Sequence, residues 1–340
     1  MGEQQPQKIT VLGAGSWGTA LSHFLASSGH EVTLWALEPE VVEGINTRHK
    51  NPIYMKDAEL PPNLKASGDY AEALEGAQLV LFVIPAQVVR GCLAQLAQLL
   101  PRDVPLVICS KGIERGTLAT MEEVFTAELP EHFHRYLSVL SGPSFAAEVI
   151  AGLPTNVTVA ARDKTIARQV QAAVGTRMFR IYTTDDMVGV EIGGALKNTM
   201  AIVVGGCDAL GFGHNTRAAI ITRGLAEITR IVVRMGGRPE TMLGLAGVGD
   251  LVLTCTGDLS RNRSVGKLLA GGMSMDEVRG QMTEVAEGVA TTESAYQLAR
   301  KHGVDTPIID MVYRVIYDGV PVAQAMASLQ DRELKDEWSI

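Results

Sequence analysis

The sequence predicts an α/β protein in which a mostly parallel sheet domain precedes an all-α domain. The first half alternates short β-rich runs with helical patterns, which is typical of a parallel sheet covered by helices. From about residue 188 onward, long helical patterns dominate and strand signals are few. We therefore predict two domains, residues 1–188 and residues 189–340.

The composition supports two folded domains. A chain of 340 residues has room for two domains of roughly 150 residues each. Hydrophobic residues make up 46% of the chain and charged residues 20%, which favours a packed core over disorder. The formal net charge of -8 argues against a nucleic-acid or anionic-membrane partner, because both need basic surface. A small anionic substrate stays compatible, since a phosphate needs only a few local donors.

The cysteines and the N-terminus indicate a reducing, cytosolic location. The four cysteines, at positions 92, 109, 207 and 255, form no C-x-x-C pair. The N-terminal M-G-E-Q-Q-P lacks an apolar signal run. The longest apolar runs, such as Leu79–Ile84, fall short of the ~18 residues that span a membrane. We expect a cytosolic protein with no integral membrane segment and, since no ligand cluster is visible, no metal.

The elements of the first half alternate in order along the chain. The first helix is predicted at Ser16–Ser28, where apolar residues recur at helical spacing after a short β-rich run. Runs rich in β-branched and aliphatic residues predict strands. These strands are Lys8–Leu12, Glu31–Trp35, Leu79–Ile84, Pro105–Cys109, Leu137–Leu140, Asn156–Ala160 and Arg177–Tyr182.

The second half begins with a buried amphipathic helix. Its apolar positions follow the i, i+3, i+4, i+7 spacing of one helix face. They are Ile192, Ala195, Leu196, Thr199, Met200 and Val203. Further helices are predicted at Thr216–Met235, Ser274–Met282 and Thr291–His302.

The segment K-I-T-V-L-G-A-G-S-W-G predicts a Rossmann-type dinucleotide site. Gly13, Gly15 and Gly18 have the G-x-G-x-x-G spacing, directly after a strand and at the start of a helix. Gly13 would permit the tight turn, Gly15 the approach of a pyrophosphate, and Gly18 close packing of helix on strand. The helix N-terminus would offer free N–H groups and a positive dipole end to the phosphates. A glycine-rich turn without a ligand is the alternative.

Unusual residues follow three more of the predicted strands. Pro85 ends one strand, S-K-G at 110–112 follows another, and S-G-P-S at 141–144 follows a third. Each is compatible with ordinary turn chemistry. Because ligands in open α/β sheets bind outside the carboxyl ends of the strands, their shared position predicts a lined crevice.

Lys197 stands off the apolar stripe of the long helix. The positions around it on its own face are small residues: Gly193, Gly194, Ala201 and Gly205. This pattern has two readings that the sequence leaves open. The small residues leave space for a ligand beside the lysine, or they allow close helix packing while the lysine extends to water.

Two later segments carry further polar groups. The run G-V-G-D at 247–250 places the Asp250 carboxylate on a predicted loop. The run S-R-N-R at 260–263 supplies hydroxyl, guanidinium and amide donors at a predicted helix start, and together these groups can bind a phosphate. Taken alone, the second run is better interpreted as a solvated helix cap.

Several motifs, taken in order, resemble the bacterial-type NAD(P)-dependent glycerol-3-phosphate dehydrogenase family. The resemblance runs nearly end to end, through G-A-G-S-W-G-T-A-L, F-V-I-P-A, S-K-G, L-S-G-P-S-F-A-A-E, G-G-A-L-K-N, G-F-G-x-N-T-R-A-A, G-D-L-V-L-T-C-T and S-R-N-R. It implies interconversion of dihydroxyacetone phosphate and sn-glycerol 3-phosphate by hydride transfer, with glycerol phosphate supplied for phospholipid synthesis. It also implies a homodimer.

The resemblance implies roles for individual residues. Lys197 would be the catalytic proton donor and acceptor, if burial and the charge of Lys111 lower its pKa against the pull of Asp250. Implied substrate contacts are Lys111, Gly142, Ser144, Asn198, Asp250, Thr254, Ser260, Arg261 and Asn262. Implied cofactor contacts besides the three glycines are Ser16, Trp17, Lys111, Ala146, Arg261, Val285 and Glu287.

The turn after the second strand predicts a preference for NAD(H), with NADP(H) as a second cofactor. The run L-W-A-L-E-P at 34–39 marks where the ribose 2′ position is expected, and an arginine would be expected there to receive a 2′-phosphate. No Lys or Arg occurs between Glu31 and Thr47, and Leu37, a further predicted cofactor contact, stands where bacterial members of the family often carry a basic or histidine side chain. Glu38 could accept a bond from a 2′-hydroxyl and would repel a phosphate.

Two rival functions fit part of the sequence. A β-hydroxyacid or 6-phosphogluconate-type dehydrogenase would also pair a Rossmann domain with a helical one, but the S-R-N-R and G-D-L-V-L-T-C-T segments argue against it. A non-catalytic dinucleotide sensor is disfavoured by the presence of Lys111, Lys197 and Asp250.

Overall fold

The computed structural model describes residues 5–281, 286–333 and 336–337. The chain divides into two compact units. The first comprises Met1–Ser110 and Met121–Met187, and the second comprises Lys111–Thr120 and Val188–Ile340. The first unit contains the sheet and the second is helical, so the predicted fold class is confirmed.

The sheet of the first unit has eight strands in the order β3-β2-β1-β4-β5-β6-β7-β8. Strands β1 to β6 pair in parallel, β7 is antiparallel to β6, and β8 is parallel to β7. The strands are β1 (Lys8–Leu12), β2 (Glu31–Trp35), β3 (Lys65–Ser67), β4 (Leu79–Phe82), β5 (Leu106–Ile108), β6 (Leu137–Ser141), β7 (Thr155–Ala160) and β8 (Phe179–Thr184). All seven predicted strands are present, and β3 is an addition.

The central strands form because their residues are apolar on both faces. Every residue of β4, Leu79–Phe82, is buried, as expected for a parallel strand covered by helices on both sides. The short β3 has the sequence K-A-S and lacks such a run, so no strand is predicted there.

Helices of the first unit connect the strands. They are α1 (Ser16–Ser27), α2 (Pro39–Arg48), α3 (Tyr70–Leu74), α4 (Val89–Leu96), α5 (Met121–Glu128), α6 (Ala146–Ile150) and α7 (Lys164–Val174), with 3₁₀ turns at Ala86–Val88 and Glu131–Tyr136. Helix α1 begins directly after the glycine loop, as predicted.

The second unit is built from helices. They are α8 (Met187–Ala209), α9 (His214–Arg234), α10 (Pro239–Met242), α11 (Asp250–Thr256), α12 (Arg261–Ala270), α13 (Met275–Gln281), α14 (Glu287–Lys301), α15 (Pro307–Tyr317) and α16 (Val322–Gln330). A π-helical turn at Leu245–Gly249 precedes α11.

Helix α8 is the core helix of this unit. All six residues of its predicted stripe are at most 4% exposed, which confirms the predicted buried face. By length and composition alone α8 could cross a membrane, a point that the sequence analysis missed. However, 94% of its most apolar window is buried inside the protein, as in the core helix of a globular unit.

The segment Lys111–Thr120 belongs to the helical unit, although it lies between β5 and α5 of the first unit. Ile113 is fully buried in the helical core, and its carbonyl accepts a hydrogen bond from Ser294 Oγ at 3.1 Å. The predicted ranges 1–188 and 189–340 do not include this excursion, and as domain boundaries they stay a prediction.

Candidate active site

The glycine loop after β1 has the backbone shape that its spacing predicts. Gly13 has a φ of 113°, and a Cβ there would lie 2.5 Å from the carbonyl oxygen of Val83. A Cβ on Gly18 would lie 1.8 Å from the carbonyl oxygen of Gly13. By contrast, no atom lies within 4 Å of the Cβ position of Gly15. The loop therefore needs two glycines for its own packing, whereas the third keeps an open approach to the backbone.

This open approach lies at the N-terminus of α1, which fits a dinucleotide pyrophosphate. Gly15 is the N-cap of α1, and no side chain caps that end. The first N–H groups of an α-helix point out of its end, where an anion can accept from them. The loop also lies between β1 and β4, where the strand order reverses and where such sheets bind ligands.

The other predicted residues of the first unit surround the same edge of the sheet. Ser144 donates from its hydroxyl to the carbonyl oxygen of Gly142 at 3.0 Å, directly after β6. Because β1 to β6 are parallel, their carboxyl ends share this edge, as the sequence predicted. Gly142 has a φ of 145°, and a Cβ there would lie 2.9 Å from Cα of Val157.

The remaining predicted cofactor contacts of this unit lie near the loop or on the turn after β2. Ser16 donates from Oγ to the carbonyl oxygen of Tyr54 at 3.2 Å. Trp17 and Ala146 are partly buried against the core of the first unit. Leu37 is 75% exposed. The roles of these residues in cofactor binding stay predictions.

In the helical unit, Lys197 lies in a buried polar cluster. Its ammonium nitrogen lies 3.2 Å from Asp250 Oδ1 and donates to Thr254 Oγ1 at 2.8 Å. Lys111 reaches the other carboxylate oxygen of Asp250 at 2.7 Å. The side chain of Lys197 is 8% exposed and that of Asp250 is 3% exposed. One carboxylate thus holds two ammonium groups, and these three groups together carry a net positive charge when ionised.

The structure indicates which effect dominates the pKa of Lys197, a question that the sequence leaves open. Burial lowers the pKa of Lys197. The Lys111 ammonium acts in the same direction, and the Asp250 carboxylate opposes both without outweighing them. A lysine with a lowered pKa gives up a proton more readily than an exposed one, which suits general acid–base chemistry.

The small residues around Lys197 serve helix packing. A Cβ on Gly193 would lie 2.8 Å from the carbonyl oxygen of Ala246. A Cβ on Gly205 would lie 1.9 Å from that of Arg263, on α12. For these two glycines the close-packing reading is correct. The same reading also had the lysine extend to water, and this part is wrong, because Lys197 is buried in an ion pair.

Asp250 is the first residue of α11, so the prediction that it lies on a loop is wrong. The preceding turn explains the difference. Gly247 interrupts the π-helical turn with a φ of -95° and a ψ of -107°. A Cβ there would lie 2.3 Å from the carbonyl oxygen of Met242. Glycines at this turn signalled a loop, but they allow two helical segments to meet and aim Asp250 inward.

The run S-R-N-R forms the first turn of α12. Ser260 is the N-cap and accepts from the backbone N–H of Arg263 at 3.3 Å. Ser260 and Asn262 are buried, so the reading as a solvated cap is wrong for these two residues. Arg261 is exposed. Asn262 donates from Nδ2 to Asn198 Oδ1 at 3.0 Å, and that oxygen also accepts from Lys197 at 3.2 Å.

An ion-pair network around the buried Arg263 holds the same helix turn, and sequence reasoning missed it. Nη2 of Arg263 lies 2.8 Å from Oδ2 of Asp208, and its Nη1 lies 2.6 Å from Oδ1 of Asp258. Arg217 lies 2.6 Å from the other oxygen of Asp208. The network links the end of α8, the start of α9 and the start of α12. The motifs contain Arg217 and Arg263, whereas Asp208 and Asp258 lie outside them, and no local spacing indicates that they pair.

The last two predicted cofactor contacts along the chain are Val285 and Glu287, which precede and begin α14 in the sequence. Glu287 is its first residue and is partly buried. Val285 lies outside the described residues. Within the part of the chain that the structure describes, no group of three or more His, Cys, Asp or Glu side chains could hold a metal ion. None of the four cysteines forms a disulfide.

Comparison with known proteins assigns the family. The family model for the N-terminus of NAD-dependent glycerol-3-phosphate dehydrogenase matches residues 8–167, and the model for its C-terminus matches residues 186–327. The chain belongs to this family. The glycerol-3-phosphate dehydrogenase [NAD(P)+] of Geobacter sp. (strain M21) is 52% identical over 331 residues, which are 97% of this chain and 99% of the relative.

Two further members of the glycerol-3-phosphate dehydrogenase family extend the comparison. The glycerol-3-phosphate dehydrogenase [NAD(P)+] of Geobacter sulfurreducens is 54% identical and covers the same shares of both chains. The crystal structure of glycerol-3-phosphate dehydrogenase from Coxiella burnetii has a TM-score of 0.91 at 37% identity. It covers 96% of this chain and 99% of its own. The family resemblance stated from the motifs is therefore confirmed.

Proposed function

We propose that the protein interconverts dihydroxyacetone phosphate and sn-glycerol 3-phosphate with NAD(H), and with NADP(H) as a second cofactor. The observation that carries the proposal is the buried Lys197 ammonium, held by Asp250 and Thr254, in a chain of this family. The open backbone at Gly15 supports the cofactor part of the proposal. When bound, the nicotinamide cofactor supplies or accepts the hydride at the C2 carbon of the substrate.

In this mechanism, Lys197 exchanges a proton with the C2 oxygen. During reduction of the ketone, the ammonium of Lys197 gives its proton to that oxygen and becomes a neutral amine. During oxidation, the neutral amine takes the hydroxyl proton. The lowered pKa of Lys197 makes its ammonium a stronger acid than that of an exposed lysine, and it leaves more of the neutral amine present for the reverse transfer. Asp250 holds the nitrogen in place, since its carboxylate pairs with Lys197 and Lys111.

The phosphate of the substrate is assigned to the first turn of α12. Arg261 is exposed, and the helix N-terminus adds a positive dipole end. The Arg263 network with Asp208 and Asp258 fixes this turn. We also propose that Ser260 and Asn262, in the same turn, contact the substrate. Gly142 and Ser144 are the proposed substrate contacts of the first unit.

Assay of the purified protein tests the function. We expect oxidation of NADH with dihydroxyacetone phosphate, seen as loss of NADH absorbance, and formation of sn-glycerol 3-phosphate. Unphosphorylated dihydroxyacetone is the matched control, and we expect its kcat/KM to be lower by at least about a hundredfold. Comparable rates with both ketones, or no turnover with the phosphate, would contradict the proposal.

We also propose that the enzyme is a cytosolic homodimer that supplies glycerol phosphate for phospholipid synthesis. The four cysteines, which form no disulfide, support the cytosolic location, and family membership supports the rest. Light scattering on the purified protein tests the dimer. Growth of a bacterial strain that lacks its own glycerol-3-phosphate dehydrogenase, on medium without glycerol, tests the supply role.

A further inference from the structure

The start of α14 is bound to α12 through a buried amide. Gly288, the second residue of α14, donates its backbone N–H to Asn262 Oδ1 at 3.0 Å. The first N–H groups of a helix have no partner within the helix, so a side-chain acceptor stabilises them. Asn262 is 9% exposed, and the bond is therefore shielded from water.

This bond fixes the orientation of two asparagine amides. A primary amide has one acceptor oxygen and one donor nitrogen, whereas a backbone N–H only donates. Gly288 therefore requires the oxygen of Asn262 on its side, which turns Nδ2 toward Asn198. Asn198 must in turn present its oxygen, and this oxygen also accepts from the ammonium of Lys197. One backbone N–H thus sets a chain of donors and acceptors that ends at Lys197.

The position tolerates no side chain. A Cβ on Gly288 would lie 2.5 Å from Asn262 Oδ1 and 2.9 Å from the carbonyl oxygen of Asn198. A second link holds the same part of α14 against α8. Thr292 Oγ1 lies 3.0 Å from Thr199 Oγ1 and donates to the carbonyl oxygen of Gly288 at 2.7 Å. The two links place Gly288 close to the residues that flank Lys197.

We infer that Gly288 is a positioning residue for Lys197, acting through the amides of Asn262 and Asn198. A side chain at position 288 would push this N–H away from Asn262 Oδ1, so that the Asn262 and Asn198 amides are free to rotate and the Asn198 NH₂ group can lie against the ammonium. This would replace an attractive contact by a repulsive one. The inference rests on the proposed role of Lys197 and adds to it a residue outside the predicted site.

The charged and titratable groups that face Lys197 come from two elements. Asp250 and Cys255 belong to α11, and Lys111 is the first residue of the segment Lys111–Thr120. Burial raises the pKa of Cys255 to about 12, so this thiol stays neutral at ordinary pH. None of these groups is altered by a change at Gly288, and a shift in the titration of Lys197 therefore reports on the amides.

The test compares Gly288→Ala with Gly280→Ala. A Cβ on Gly280, in α13, meets no atom within 4 Å, so this variant is the matched control. The pH dependence of Lys197 acetylation is followed by peptide mass spectrometry, in protein free of cofactor and substrate. We expect the midpoint to fall by about one pH unit in Gly288→Ala, because a hydrogen bond to the charged form is lost. We also expect kcat to fall about tenfold with little change in KM.

A second variant keeps the test decisive if Gly288→Ala does not fold. Asn262→Ala removes the connecting amide without a steric clash, and we expect the same fall of the acetylation midpoint. A midpoint that is unchanged or higher in the folded variants would overturn the inference, even if their melting temperature falls. The labelling uses neither substrate nor turnover. An inactive wild-type enzyme would therefore overturn the proposed function and leave the labelling result standing.

Discussion

Tyr54 donates from its hydroxyl to Glu38 Oε1 at 2.7 Å. Glu38 is the N-cap residue of α2, directly after the turn at Leu37. The bond fixes a carboxylate at the turn where the ribose 2′ position is expected. A carboxylate at that place accepts from a 2′-hydroxyl and repels a 2′-phosphate.

We therefore predict a higher kcat/KM for NADH than for NADPH. Tyr54→Phe should lower the ratio of kcat/KM for NADH to kcat/KM for NADPH several-fold, because the Glu38 carboxylate is no longer held by the tyrosine hydroxyl. Leu37→Arg should gain NADPH activity. The measurement is kcat/KM for both cofactors with dihydroxyacetone phosphate.

Tyr136→Phe is the control for the tyrosine variant, since its hydroxyl also donates to a surface carboxylate, Asp103, at 2.7 Å. We expect its cofactor ratio to match that of the wild type. An NADPH value equal to or above the NADH value in the wild type would disprove the preference.

The glycine loop predicts opposite outcomes for two alanine variants. Gly18→Ala should lower the melting temperature strongly, because its Cβ would overlap the carbonyl oxygen of Gly13. Gly15→Ala should change the melting temperature by only about 2 °C or less, since its Cβ meets nothing. It should nevertheless weaken NADH binding by about tenfold or more, because the Cβ fills the approach to the backbone.

Calorimetric unfolding of the ligand-free protein and titration with NADH measure these two effects separately. Gly91→Ala serves as the control, since a Cβ there also meets no atom within 4 Å. Unaltered NADH binding in Gly15→Ala would show that the pyrophosphate does not approach this glycine.

Lys197→Ala should fold and bind NADH but lose about 10²- to 10⁴-fold in kcat, the usual contribution of a general acid–base group. Lys197→Met, which retains the apolar stem, should lose as much and thereby separate packing from proton transfer. The measurement is steady-state turnover together with NADH titration. A loss below about tenfold would move the proton-transfer role elsewhere, with His214 as the next candidate.

The lowered pKa of Lys197 predicts that the rates of ketone reduction and of alcohol oxidation depend on pH in opposite ways. Ketone reduction needs the ammonium form, so kcat/KM for dihydroxyacetone phosphate should fall as the pH rises through this pKa. Alcohol oxidation needs the neutral amine and should rise through the same pKa. Both limbs should lie below the ordinary lysine value of 10.5.

Charge changes around Lys197 should move these limbs in known directions. Lys111→Met removes a charge that lowers the pKa and should shift the limb to higher pH. Asp250→Asn removes a charge that raises the pKa and should shift it to lower pH. Full pH–rate profiles measure both. Lys267→Met, on the exposed face of α12, should leave the limb in place.

Arg261→Ala should raise KM for the phosphorylated ketone more than it lowers kcat. A guanidinium on a non-reacting phosphate contributes mainly uniform binding. The measurement is kcat and KM for dihydroxyacetone phosphate, with Lys267→Ala on the same helix as the control. An unchanged KM would argue against α12 as the phosphate site.

Features that depend on neighbouring residues could be predicted from the sequence. The strand β1, the glycine loop and the stripe of α8 follow from local periodicity and from spacing within about a dozen residues. Pairings between distant residues could not. Lys111 and Asp250 are 139 positions apart, and no local pattern indicates that they meet. Gly193 and Gly205 were ambiguous for the same reason, because small residues permit either a cavity or a close neighbour.

The excursion of Lys111–Thr120 into the helical unit limits how the protein can be divided. Residues 188–340 expressed alone would lack Lys111, the partner of Asp250, and Ile113 from the core. A chimera of two relatives joined at residue 188 would combine one parent's ten-residue segment with the other parent's helices. The two units therefore cannot be exchanged independently between relatives. Natural recombination at that junction would succeed only between chains whose segment and helices already match.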